Sequence, residues 1–144
     1  MKYVKYLTVA VFLIAGCSSS GSNSSKQDVL YRVGAIDGWR QGDSLEVEYV
    51  TGYDSDRNAY KYEKEVVTEP EFSTSESVDL SQSDIGVCIR AQFISSRFFE
   101  ENSQASAVLR MELRAEDQSV DNQFDMGDGG VDQASVCIDG EADE

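Results

Sequence analysis

With 144 residues, 40% of them hydrophobic, the chain suits a single domain of ordinary size and holds enough apolar side chains for a core. Its 12 Lys+Arg stand against 27 Asp+Glu, a formal net charge of −15; this argues against a nucleic-acid partner, because phosphate backbones are held by clusters of Lys and Arg. It has no His, which removes the commonest metal ligand, the Ser-His and Cys-His activation schemes and the usual zinc hydrolases.

The chain opens with MKYVKY, carrying Lys2 and Lys5, and continues with LTVAVFLIAG, which has no charged side chain. A basic segment thus precedes a short apolar one, too short to span a bilayer comfortably as a helix. It ends in Leu13-Ile14-Ala15-Gly16-Cys17, a branched apolar residue three before the Cys, two small residues, then the Cys. This stretch resembles the lipobox of bacterial lipoproteins. The resemblance implies that residues 1–16 are a removed signal peptide and that Cys17 becomes the lipidated first residue. Its acyl chains, palmitate among them, would hold the protein at a membrane of the cell envelope. A plain secretory signal and an uncleaved anchor are the alternatives. In Gram-negative lipoproteins an Asp after the Cys marks retention at the inner membrane. Ser18 stands here, which implies the outer membrane in such an organism, with the domain facing the periplasm or the outside.

Residues 17–27 are the expected Cys followed by SSSGSNSSKQ, a Ser-rich stretch with nothing to bury. It reads as a flexible tether with a mean reach of about 15–20 Å. From residue 28 the pattern has period two. Residues 29–33 (VLYRV) form a short β-prone run ended by Gly34, and residues 38–43 (GWRQGD) a turn or loop. In residues 45–51, Leu45, Val47, Tyr49 and Thr51 alternate with Glu46 and Glu48, as in a half-buried strand. Gly52 and residues 54–58 then turn the chain. Residues 59–67 alternate again, with Tyr60, Tyr62 and Val66 on one face and Lys61, Glu63 and Glu65 on the other, so the two runs form a hairpin.

Residues 68–84 contain the only Pro, Pro70, and leave room for short edge strands around Phe72 and at 78–80. The strongest strand is residues 85–93, where Ile85, Val87, Ile89, Ala91 and Phe93 oppose Cys88, Arg90 and Gln92. In residues 105–114, Ala107, Leu109, Met111 and Leu113 share a face opposite Val108, Arg110 and Glu112. That composition also suits a helix; the alternation and the hairpin-like distance from the preceding strand favour β. Six or seven short strands over residues 28–116 predict an all-β fold, a small antiparallel immunoglobulin-like β-sandwich, lipid-anchored. Residues 117–144 read as a solvated acidic tail, since from residue 115 on there are ten acids and no Lys or Arg.

If Cys17 carries lipid, Cys88 and Cys137 remain in an oxidising compartment. A disulfide between them is expected there, with two free thiols as the alternative. VCI at 136–138 repeats VCI at 87–89, so a short strand pinned beside the stronger one would hold the tail back. No C-x-x-C pair points to redox chemistry.

Asp54, Asp56 and Asn58, with Glu65 at the twelfth place, match part of a calcium loop. However, Ala59 occupies the position that needs Gly, and strands rather than helices flank it. A solvated hairpin turn is the plainer reading. Asp125, Asp128 and Asp132 fit no such spacing, and no cofactor is implied. No G-x-S-x-G or P-loop is present, and among so many carboxylates no pair stands out, so a non-enzymatic protein is expected. Trp39, beside Arg40 on a Gly-rich loop, is a candidate platform for a sugar or a partner, or else a cover for the core.

The strings at 29–33, 45–52 and 85–93 resemble small β-sandwich accessory proteins of membrane transporters in mycobacteria, and similar immunoglobulin-like, export-linked domains. Tyr31-Arg32-Val33 and Val47-Glu48-Tyr49 carry the cadence. A lipid anchor stands where those proteins have a transmembrane helix, and the acidic tail is extra. The resemblance transfers no site residue. It implies an accessory or protein-interaction module that contacts another envelope protein; a surface binder of a small ligand, cation or glycan is the alternative.

Overall fold

The computed structural model describes residues 26–82, 86–100 and 103–138. Residues 1–25, with Cys17 and the Ser run, lie outside the described residues, as do Ile85 and residues 139–144. Alternating β-branched and aromatic side chains build eight strands. They are β1 (Lys26–Asp37), β2 (Leu45–Asp54), β3 (Ala59–Val67), β4 (Glu71–Asp79), β5 (Val87–Phe93), β6 (Ser106–Arg114), β7 (Ser119–Gly127) and β8 (Gln133–Ile138). Two 3-10 turns, Leu80–Gln82 and Ser96–Phe98, lie on the connections before and after β5.

The strands form two four-stranded sheets, β4-β1-β6-β7 and β3-β2-β5-β8, and every neighbouring pair is antiparallel. The expected all-β antiparallel sandwich is therefore what the chain forms. Only β2/β3 and β6/β7 are hairpins within a sheet; every other connection crosses between sheets.

One face of each central strand meets the other sheet. Val29, Tyr31 and Val33 of β1 and Ala107, Leu109, Met111 and Leu113 of β6 come from the first sheet. Leu45, Val47 and Tyr49 of β2 and Val87, Ile89, Ala91 and Phe93 of β5 come from the second, and all of these are buried. At about 1.5–3 kcal/mol for each large apolar side chain taken out of water, this layer supplies the main drive to fold. The expected alternation holds on β2 from Leu45 to Tyr49, on β5 from Val87 to Phe93 and on β6; after Tyr49 a register shift breaks it, so that Val50 is buried and Thr51 only partly so.

Several boundaries differ from the sequence reading. β1 starts at Lys26, inside the stretch read as tether, and runs through Gly34 to Asp37. There Ala35 N–H is bonded to the Pro70 carbonyl at 2.8 Å. The region around Phe72 to Asp79 is one nine-residue edge strand. On β3, Tyr62 and Val66 are 43% and 62% exposed, because this edge strand turns them to the outer face beside Glu46 and Glu48. The sandwich also continues past residue 116. Residues 119–127 and 133–138, expected in the acidic tail, are β7 and β8. Their acids point outward while Met126, Ala134, Val136 and Ile138 complete the core; an edge strand needs only a few apolar residues.

Cys88 and Cys137 stand directly opposite one another in the β5/β8 ladder and form a disulfide. It lies on the outer face of the second sheet and fastens a six-residue edge strand to the strongest strand. The same outer face carries a charge ladder. Lys64 reaches Glu46 at 2.8 Å and Glu48 at 3.4 Å, and Arg90 reaches Glu48 at 2.9 Å. Glu48 is the direct cross-strand partner of both cations, so the pairs favour this register over its neighbours.

In the core, Tyr31 packs against Tyr49 with ring centroids 5.4 Å apart, and Tyr49 against Phe72 at 5.5 Å. The Tyr31 hydroxyl is buried with no hydrogen-bond partner among the described residues, and burial pushes its pKa up. Replacing Tyr31 by Phe should therefore raise stability in urea titrations, by about 1 kcal/mol, since a buried unpaired hydroxyl costs desolvation. Replacing both Cys88 and Cys137 by Ser should lower it by about 2–4 kcal/mol, the usual range for a bridge closing a loop of this length.

Candidate functional site

The eight strands run alternately up and down, so their connections gather at two ends. At one end lie the start of β1, the β2/β3 turn, the β4/β5 and β6/β7 connections and the end of β8. At the other lie the β1/β2 loop, residues 68–70, the β5/β6 connection and the β7/β8 turn. The sequence candidates are divided between the two ends. Asp54, Asp56 and Asn58 sit at the first and Trp39 at the second.

The β2/β3 turn is closed by its own side chains. The Asp54 carboxylate accepts the backbone N–H of Asp56 at 3.1 Å and of Arg57 at 3.3 Å. Asn58 is left-handed at φ 50°, and its amide oxygen accepts the Tyr53 hydroxyl. Glu65 lies on β3, within 3.5 Å of the Tyr49 hydroxyl. Asp54 is thus occupied in capping its turn and Glu65 is directed elsewhere. Among the described residues no three His, Cys, Asp or Glu side chains gather closely enough to hold a metal ion.

The opposite end is organised by a buried charge pair. Asp43, in the β1/β2 loop, is 3% exposed. Its carboxylate accepts the Arg97 guanidinium through both oxygens, at 2.7 and 2.6 Å, and the Arg40 N–H at 2.8 Å. Arg97 also donates to the Gly38 carbonyl at 2.7 Å, and its guanidinium lies 4.3 Å from the Phe98 ring centre. Gly38 has φ 76°, and a Cβ there would collide with the Ser106 carbonyl and Ala107, so only Gly lets the loop pack against the start of β6. The Ser95 hydroxyl accepts the Ser44 N–H at 2.7 Å, and the Ser103 hydroxyl donates to the Arg97 carbonyl.

This frame places four aromatic rings. Trp39 is half-buried, 5.9 Å from Phe93, and Phe93 stacks on Phe98 at 4.1 Å. Trp39 therefore covers the core margin and does not stand free as a platform. The 3-10 turn Ser96–Phe98 sends Phe98 inward and the next residue outward, and Phe99 is 68% exposed. Its N–H is nonetheless fixed to the Ser96 carbonyl at 2.9 Å. Val131, in the β7/β8 turn, is 42% exposed and lines the same notch as Phe99, Phe98 and Phe93. Neither Phe99 nor Val131 was legible as a site residue, because an apolar residue in a loop carries no periodicity, and nothing in the pair Phe98-Phe99 says which ring turns outward.

Next to this notch Asp37, Asp125 and Asp128 line a trough of about 330 Å³. Asp132 borders the notch itself. What this end offers is an apolar projection with an acidic border. Among the described residues no acid–base pair or nucleophile with its base is assembled there. The chain matches no protein-family model, and no curated protein or solved structure shows a significant match to it.

The hydrogen bonds from Arg97 hold the Asp43 carboxyl below its ordinary value of 3.8. A carboxylate depressed on folding adds stability above the unfolded value and loses it as pH falls through the folded one. Asp43→Ala should cost about 2–3 kcal/mol at neutral pH, because the charged hydrogen bonds that the nearly buried carboxylate accepts from Arg97 and the Arg40 N–H are lost. Urea midpoints followed downward from pH 5 should fall more steeply for the native protein than for the variant.

Proposed function

We propose that the chain is a membrane-anchored, non-enzymatic lipoprotein of the cell envelope, serving as an accessory or protein-interaction module. One observation carries the reading. The polypeptide enters β1 at Lys26, at the end opposite Trp39, Arg97, Phe99 and Val131. With lipid on Cys17, a Ser-rich tether of about 15–20 Å mean reach keeps the entry end near the bilayer and turns the aromatic end toward other envelope proteins. A disulfide fits the oxidising compartment that such an address leads to. Ser18 after the lipidated Cys favours the outer membrane in a Gram-negative cell.

A protein partner fits the apolar end better than a small ligand does. Small-molecule sites are concave and bury most of the ligand, whereas Phe99 and Val131 project from loops. Metabolic labelling with a palmitate analogue tests the anchor. The native protein should be labelled and should sediment with membranes, and Cys17→Ser should be unlabelled and soluble. An intact mass that retains residues 1–16 with unmodified Cys17 would overturn the reading.

A further inference from the structure

We infer that the Phe99/Val131 projection is the docking surface for a protein partner that presents an apolar socket bordered by Lys or Arg. The inference rests on the accessory-module reading and adds where the partner sits and what its surface is made of. Phe99 is the most exposed large apolar side chain among the described residues, Val131 is 42% exposed, and the two share one notch with the rings of Phe98 and Phe93. An exposed aromatic side chain held by a fixed backbone gives contact area at little cost in ordering. That condition is met here, because residues 95–99 are tied by Phe98 N–H to the Ser95 carbonyl at 3.1 Å, Phe99 N–H to the Ser96 carbonyl at 2.9 Å and Arg97 to Asp43.

Charge decides the occupant. The residues lining the notch and the adjoining trough include Asp37, Asp125, Asp128 and Asp132 and no Lys or Arg; Glu100 follows Phe99 in the chain. Arg97, the cation nearest Phe99 in sequence, is spent on Asp43, and Arg40, exposed on the β1/β2 loop of the same end, lines neither the notch nor the trough. A second copy would bring the same acids to the same border, and the chain's −15 charge opposes such a pairing. An anionic lipid surface would be repelled in the same way. The three carboxylates of the trough are too dispersed to hold a metal ion, while its volume of about 330 Å³ accommodates the end of a Lys or Arg side chain. Fully desolvated apolar anchors with a complementary charged rim are the usual anatomy of a selective interface.

The test uses the full chain in its own cells, with the photo-crosslinking residue p-benzoylphenylalanine in place of Phe99, or in place of Tyr62 on the outer face of β3 as the control. Crosslinked peptides are identified by mass spectrometry. The expected result is one heterologous adduct from position 99, about tenfold stronger than from position 62, on a peptide flanked by Lys or Arg. Adding Asp128→Lys and Asp132→Lys should reduce it about tenfold, because reversing rim charges slows association; both side chains are exposed, so the fold is kept. An adduct from position 62 but not 99 would overturn the docking surface and leave the accessory reading standing. A position-99 adduct with a second copy or with lipid, or one indifferent to the charge reversals, would also overturn it. No protein adduct from either position would count against both.

Discussion

The ion pair of Asp43 and Arg97 holds together the end of the sandwich where chain direction changes most. The β1/β2 and β5/β6 connections both cross from sheet to sheet, so neither is positioned by a hairpin ladder. Burying two charges is costly, and apolar residues of similar volume would often be as stable. The pair gives directionality instead. Arg97 must reach Asp43, the Gly38 carbonyl and the Phe98 ring together, and few loop conformations satisfy all three. Trp39, Phe93 and Phe98 pack against that frame, and Phe99 is left outside as a consequence.

The overall charge and the local charges act differently. Outward acids on the sheet faces are matched across the strands, Glu46 and Glu48 with Lys64 and Arg90, Glu112 with Arg32, and Asp121 with Arg110. Each exposed pair contributes little to stability; together they keep two sheet faces from self-repulsion and favour one register. The acids lining the notch and trough of the apolar end, Asp37, Asp125, Asp128 and Asp132, share that lining with no Lys or Arg; Arg40, exposed at the same end, lies on the β1/β2 loop beside Trp39.

How much of this was legible follows from physical rules. The half-buried central strands β2, β5 and β6 announced themselves, because each has one face in the core and one in water, and period two survives in the residues. β7 was hidden. As an edge strand it buries Met126 fully and Val120 and Phe124 in part, and its Asp and Asn content reads as a tail. β8 was partly visible through the repeated VCI, since an antiparallel pair places Val87, Cys88 and Ile89 against Ile138, Cys137 and Val136. The candidate site was nearly invisible. Trp39 drew notice by rarity and turned out to cover the core margin, whereas the choice between Phe98 and Phe99 is made by a single 3-10 turn. Asp43 looked like one more acid until the fold brought Arg97 across 54 residues to meet it.

The place of β1 has a mechanical meaning. It is an inner strand, paired with β4 over nine residues and with β6 over seven, and it is also the strand through which the chain enters the domain. A pull on the segment before Lys26, resisted at the far loops, acts along the strand axis. It loads both ladders in shear, so their hydrogen bonds must yield together and cannot open one after another as in a zipper. The fold thus puts a strand held by two ladders where a tether would apply force.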